Sequence, residues 1–318
     1  MKSELENKTI LFISPQFYGY EKIIVSKMEQ LGASVIYYPE RENGIRYKLV
    51  NNFGAGNLTS YQENYYLNIY KKTRRIEFDF IFIIRGYLIT EDFIKKMRLR
   101  YPGATFIMHQ WDSIVNNNYK KYIGLFDKFF SFDPEDCKRC SLKYLPNFYL
   151  PEYVSQEGIK EIKYDISFIG WAYDDRMKLL EEVSAQIPAK FFFKYCYMPP
   201  GRYLINMVKG KAHREIKTKS LSLSEVRDIV RQSAIILDIT DKNQTGYTFR
   251  AIDAIAAGKK LITTNPYIQF EEFYNNQNIS IIDRDDPQID GKFFEMPFVE
   301  VDIRCYSLDS WIKKIFTP

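Results

Sequence analysis

Short apolar runs recur along the chain, each cut off by a polar segment and followed by a stretch whose apolar residues return at helical spacing. In the first half the runs are Thr9 to Ser14, Ser34 to Tyr38, Phe78 to Ile84, Thr105 to Met108 and Lys128 to Phe132. In the second half they are Asp165 to Gly170, Lys190 to Tyr195, Ala234 to Ile239, Lys260 to Thr264 and a last run ending near Asp283. Runs of this length, apolar at successive positions and rich in β-branched residues, predict strands buried on both faces of a parallel sheet. Between them the pattern predicts a helix ending at Gly32, a loop from Asn51 leading into a helix through Arg75, and a helix capped by Thr90 with Glu91 and Asp92 in its first turn. Further helices are predicted to start at Asp133, to run from Asp175 to Gln186, to open at the Ser222–Glu225 capping box and to follow Asn265. The terminal SLDSWIKKIF is an amphipathic helix suited to folding back over the first domain.

The densest stretch is Asp238 to Asn265, a strand, a polar loop, a helix and a strand in succession. Gly246 is read as opening the helix, Phe249, Ile252, Ile255 and Ala256 share a face, and Gly258 stops it. Ligands of open α/β sheets bind at the carboxyl ends of the strands, where helix N-termini offer N–H groups to anions. Gly246 would let a phosphate approach the backbone, and Asp253 would offer a carboxylate to sugar hydroxyls. A solvated helix face is the alternative.

Other strand ends carry polar residues too. Arg85 and Gly86 follow one strand, and His109, Gln110, Trp111 and Asp112 follow the next, a cluster fitted to sugar recognition or proton transfer, with a structural histidine as the alternative. In the second half, GWAYDDR places Gly170 and Trp171 at a strand end, and Arg176 is a fork donor for two phosphate oxygens or a surface ion-pair partner of Asp174 or Asp175. YCYMPPGRY reads as a turn-rich loop. The loop after the first strand, PQFYGYE, lacks the G-x-G-x-x-G fingerprint, which disfavours a nicotinamide or flavin site there.

A length of 318 residues suits two domains. Leu145 to Tyr153, with two prolines and no periodicity, reads as the linker, giving a first domain over 1–150, a second over 151–306 and a terminal helix over 307–318. The net charge of +5, from 45 basic and 40 acidic residues, favours anionic ligands without calling for nucleic acid. The basic run Lys209 to Lys219 meets a phospholipid or polyphosphate, or is a solvated loop. No secretory leader or spanning run is evident, so a cytoplasmic protein is expected, with peripheral contact at the inner face of the membrane left open. CKRC at Cys137 and Cys140 lacks a second ligand pair, so no metal site is expected.

DISFIG with the downstream Arg176, together with QTGYTFRAIDAIAAGKKLITTN and FYNNQNISIIDRDDP, resembles the donor-binding half of bacterial capsule and lipopolysaccharide glycosyltransferases of the GT-B fold, including glycosyltransferase 1-like and CgeB-like enzymes. The resemblance implies two Rossmann-like domains with parallel sheets facing a cleft. It implies a nucleotide-sugar donor held by Gly170, Trp171, Lys242, Gln244, Thr245, Gly246, Tyr247, Thr248, Arg250 and Asp253, with no metal and no further cofactor. Asp253 matches the later of two family glutamates, which holds the ribose, and Thr245 stands where the earlier one would be. His109 is similar in placement to the family histidine that faces the donor sugar, Asp112 is the candidate base if the reaction inverts, and Arg176 would stabilise the leaving diphosphate. The acceptor would be a glycan or a lipid-linked saccharide. Alternatives are a non-catalytic GT-B-like protein that binds a nucleotide or glycan, and a nucleic-acid or anionic-surface binder using Lys209 to Lys219.

Overall fold

The computed structural model describes residues 4–42, 47, 58–154, 161–172, 174–187, 190–209 and 215–317. The loop expected from Asn51, the polar segment after residue 154 and residues 210–214 of the basic run lie outside these. The chain divides into two compact units, Met1–Pro146 with Trp311–Pro318, and Asn147–Ser310.

Unit 1 is built on strands β1 (Thr9–Ser14), β2 (Ser34–Pro39), β3 (Phe80–Ile84), β4 (Thr105–Gln110), β5 (Lys128–Ser131) and β6 (Lys143–Tyr144), in the order β2-β1-β3-β4-β5-β6. Every pairing is parallel. Helices α1 (Tyr20–Gln30), α2 (Leu58–Lys72), α3 (Glu91–Arg100) and α4 (Pro134–Cys140) connect them. Ile10 to Ile13, Ile81 to Ile84 and Phe106 to Met108 are almost wholly buried, which is why they read as unbroken apolar runs. The Thr90 hydroxyl caps α3 by accepting from the Phe93 N–H, as its sequence implies. CKRC lies in α4, where burial pushes the Cys137 thiol up to about 12.

Unit 2 contains β7 (Tyr164–Trp171), β8 (Phe192–Tyr197), β9 (Ser233–Asp238), β10 (Lys260–Thr263) and β11 (Ile279–Ile281), in the order β11-β10-β9-β7-β8, again all parallel. Its helices are α5 (Pro151–Val154), α6 (Asp174–Gln186), α7 (Pro200–Val208), α8 (Leu223–Arg231), α9 (Phe249–Ala256) and α10 (Lys292–Glu295). The last helix, α11 (Leu308–Phe316), ends in unit 1. There the Phe316 ring lies 5.0 Å from Phe80 and 5.5 Å from Phe82, and Trp311 lies 6.0 Å from Phe82.

Several elements differ from the reading of the sequence. Strand β4 continues two residues past Met108, so His109 and Gln110 belong to the sheet. The unit boundary falls after Pro146, within the Leu145 to Tyr153 segment, and Leu145, Phe148, Tyr149, Leu150 and Tyr153 are all buried. The segment lacks periodicity because it is short and irregular before helix α5, with individual contacts such as the Phe148 ring 5.4 Å from Phe249. PPGRY opens helix α7, with Pro200 in the first turn where its missing N–H costs nothing. The segment after Asn265 makes only a 3-10 turn, Pro266–Phe270. Among the described residues no helix is long and apolar enough to cross a membrane.

Candidate functional site

Both sheets share one topological feature. In unit 1 the strand order reverses between β1 and β3, and in unit 2 between β7 and β9. Crevices open at such switch points, outside the carboxyl ends of the strands. The polar residues of interest gather at these two places.

At the unit 1 switch point Arg85 follows β3 with a backbone φ of +63°, which costs a side-chain-bearing residue roughly 1–2 kcal/mol. The surroundings hold it there. Its N–H donates to the His109 carbonyl at 2.9 Å, and its own carbonyl accepts from the side-chain amides of Gln110 at 3.0 Å and Asn117 at 3.1 Å. The guanidinium is thereby aimed at Glu40, the residue after β2. Arg85 Nε donates to Glu40 Oε2 at 3.1 Å, and the terminal nitrogen meets the other carboxylate oxygen. Glu40 is 1% exposed, its carboxylate also accepts from the Tyr87 N–H, and its carbonyl accepts from Gln62 and Tyr66 of α2. The remaining fork nitrogen of Arg85 reaches Asp112 at 3.5 Å. Burial lowers the Arg85 pKa, and the neighbouring Asp112 charge opposes that.

An aromatic ledge adjoins this ion-pair group. The Phe17 ring is edge-on to Tyr18 at 4.8 Å and to Trp111 at 6.1 Å, and Phe17 and Tyr18 are 37% and 40% exposed. Tyr18 (φ +52°) and Gly19 (φ +92°) make the turn that puts the two rings outward. Exposed rings beside a half-exposed carboxylate and guanidinium are the surface a pyranose needs: an apolar face for its C–H groups and fork acceptors and donors for its hydroxyls.

His109 does not share that surface. It is fully buried within β4; its Nε2 donates to the Leu145 carbonyl at 2.9 Å, its buried Nδ1 has no hydrogen-bond partner, and the ring abuts Trp311 at 5.1 Å. Burial lowers its pKa to about 3. The expectation that it faces a bound sugar is corrected: the strand is longer than the apolar run suggested, and the histidine side chain is buried in the core, while Trp111 and Asp112 follow the end of the strand.

In unit 2 the hub of the carboxyl edge is Asp238, at the end of β9 and 6% exposed. Its carboxylate accepts from the hydroxyls of Thr240 at 3.0 Å, Thr248 at 2.9 Å and Thr263 at 3.2 Å. Thr248, not Gly246, starts helix α9: its hydroxyl accepts from the Ala251 N–H at 3.2 Å. The glycine is buried in the loop before the cap. Tyr247 is fixed by exchange with Asn147, its hydroxyl donating to the Asn147 carbonyl at 2.7 Å and its carbonyl accepting from the Asn147 amide at 2.8 Å. The Thr245 carbonyl accepts from Asn265, and the Gln244 amide donates to the Gly246 carbonyl. Lys242 projects into solvent from this braced loop.

Cations border the same edge. Arg284 donates to the Thr240 carbonyl at 2.5 Å and pairs with Asp175 at 3.2 Å. Arg176, next to Asp175 in the first turn of α6, donates to the Trp171 carbonyl at 3.3 Å. Gly170 and Trp171 lie in β7 itself, not in a turn; a Cβ on Gly170 would stand 2.7 Å from the Phe168 ring, so packing accounts for that glycine. The structure therefore brings together Trp171, Arg176, the 240–248 loop and the start of α9. Asp253 lies apart, 2% exposed on the inner side of α9, where it faces Tyr153 of α5 in company with Arg250 and Arg227. The Nε atoms of both arginines are buried without a hydrogen-bond partner.

Sequence reasoning missed Glu40 and Arg284 altogether. The usable signal was position alone, since Glu40 directly follows β2 and Arg284 stands three residues past β11.

No protein-family model and no curated protein matches the chain. Solved structures do. The chain is similar to the apo form of the lipopolysaccharide outer core galactosyltransferase WaaB, with a TM-score of 0.56 at 11% identity over 97% of this chain and 99% of that one. It is similar to sucrose-phosphate synthase from Thermosynechococcus elongatus, with a TM-score of 0.58 at 10% identity over 91% and 88%. It is also similar to the UDP-GlcNAc 2-epimerase of Methanocaldococcus jannaschii solved with UDP-GlcNAc and UDP, with a TM-score of 0.51 at 10% identity over 98% and 93%. At such identities the likeness concerns the fold, and the chain has the GT-B type: two α/β units, each on a parallel sheet.

Proposed function

We propose that this chain is a glycosyltransferase that moves a sugar from a nucleotide-diphosphate donor to a glycan or lipid-linked acceptor in bacterial surface polysaccharide synthesis. The observation that carries the reading is the unit 2 edge, where Arg176, Arg284 and Lys242 border a loop braced by Asp238 ahead of the α9 N-terminus. Fixed cations and N–H groups stabilise the charge that grows on a departing diphosphate, the part a metal ion plays in other transferases. In this reading no metal takes part. In this reading the buried Asp253 has a supporting role within α9, and the loop takes the ribose.

The acceptor is assigned to the unit 1 ledge of Phe17, Tyr18 and Trp111. Transfer breaks the bond between the anomeric carbon and the diphosphate oxygen and forms one to an acceptor hydroxyl oxygen, whose proton must leave. In this reading Asp112 takes it, supported by its partly exposed carboxylate beside Arg85 and by the burial of His109.

The test is release of nucleotide from UDP-, GDP-, CDP- and dTDP-sugars, with and without a bacterial lipid extract as acceptor. The expected result is release from one nucleotide class, stimulated by the extract and absent in Asp112→Asn. Binding of a nucleotide with no release from any sugar would favour a second reading, a nucleotide-binding or glycan-binding protein without transfer. That reading is supported by Thr245 at a position where the related retaining enzymes carry glutamate.

A further inference from the structure

Helix α7 is built inside out. Amphipathic helices of globular proteins turn the apolar stripe to the core. In α7 no residue is buried, and Leu204, Ile205, Met207 and Val208 are 59%, 55%, 53% and 90% exposed. These four lie within about half of the helix circumference by 100° steps. The opposite side faces the unit: Tyr203 packs on the core, and the Asn206 amide meets the Met198 sulfur at 3.5 Å. Pro200 opens it without a side-chain cap and the Lys209 N–H closes it on the Ile205 carbonyl at 3.1 Å, so the helix is formed with its apolar face exposed.

Among the described residues the charges flanking that face are mostly cationic. Arg202 lies on α7 and Lys209 ends it. Lys217 lies alongside β8, its N–H donating to the Cys196 carbonyl at 2.8 Å and its carbonyl accepting from Met198 at 2.9 Å, and Lys219 follows, its carbonyl accepting from the Tyr195 hydroxyl. Strand β8 is the edge of the unit 2 sheet, so these cations and α7 occupy one rim. All four cationic side chains are exposed. The acidic residue among the described ones of this segment is Glu215.

We propose that α7 is a docking element for the surface of an anionic phospholipid bilayer, with Leu204, Ile205, Met207 and Val208 inserted at the acyl boundary and Arg202, Lys209, Lys217 and Lys219 on the headgroups. An apolar stripe flanked by lysine and arginine is the pattern of helices that lie in the interface plane. Near a charged leaflet each such cation adds attraction that salt screens, whereas a protein partner would be expected to bring its own acidic complement. The proposal is independent of the reaction proposed above.

The experiment is co-sedimentation of the full chain with vesicles of phosphatidylcholine alone and with phosphatidylglycerol, over a range of salt. Binding is expected only with phosphatidylglycerol, weakening as salt rises. L204E/V208E should bind about tenfold or more weakly, as should K209A/K217A/K219A, with melting temperatures unchanged because every site is exposed. V208W should show a blue-shifted tryptophan emission on binding. Equal binding to both vesicle types, no binding to either, or full binding by L204E/V208E would overturn the proposal. So would a dimer in solution that L204E/V208E dissociates, since that would make a second copy the cover of this face.

Discussion

Arg85 reaches Glu40 across forty-five positions of sequence from a left-handed backbone, Nε to Oε2 at 3.1 Å, and the carboxylate it meets is 1% exposed. Removing the guanidinium strands a buried charge. Arg85→Ala should therefore cost about 3–5 kcal/mol of stability in urea denaturation. Arg85→Gly removes the same ion pair but suits the φ of +63°, so it should be more stable than the alanine variant by about 1 kcal/mol. An alanine variant as stable as the glycine one would show that the backbone is not strained.

His109 gives a pH signature. Its folded pKa of about 3 lies below the ordinary 6.5, because burial penalises the charged ring. Between those values the unfolded chain binds a proton that the folded chain refuses, so this group lowers stability as pH falls, by up to about 1.4 kcal/mol per unit. Above 6.5 it contributes nothing. His109→Gln keeps an N–H for the Leu145 carbonyl and should flatten the fall between about pH 6.5 and pH 4 in paired urea titrations. An unchanged slope would place the titration elsewhere.

Asp253 separates structure from binding. With two arginine Nε atoms buried beside it, Asp253→Ala should cost about 3 kcal/mol or more of stability. Asp253→Asn keeps the shape and should retain nucleotide affinity within about threefold, a change of roughly 0.7 kcal/mol. A much larger loss in the asparagine variant would return Asp253 to direct contact with the ribose.

The strands were legible because a parallel sheet buries both faces, so Ile10 to Ile13 and Ile235 to Leu237 spell themselves out. Caps were legible where a hydroxyl stands three residues before its N–H, as at Thr90 and Ser222. Thr248 has the same chemistry, but Gly246 beside it drew the helix start two residues early. Arg85 was opaque for another reason. A positive φ on a non-glycine residue leaves no local mark, being imposed by Gln110 and Asn117, which are distant in sequence. The charged pairs at the switch points depend on strand order, and strand order is not written in any one segment.

Arg176 and Arg284 test the anion edge. Arg176→Ala should lower turnover about 100-fold, the equivalent of roughly 3 kcal/mol of transition-state stabilisation. Arg284→Ala frees Asp175 and the Thr240 carbonyl as well, so it should weaken nucleotide binding alongside turnover in calorimetry and initial-rate assays. Turnover near that of the unsubstituted protein in both would remove these arginines from the site.

The central claim is that unit 2 recognises a diphosphate. Calorimetric titration with UDP, GDP, CDP and dTDP, each against its nucleoside, tests it most directly. One diphosphate should bind about 100-fold or more tightly than its nucleoside, as charge-assisted contacts to two phosphates require. No binding by any diphosphate, or equal binding of diphosphate and nucleoside, would contradict it.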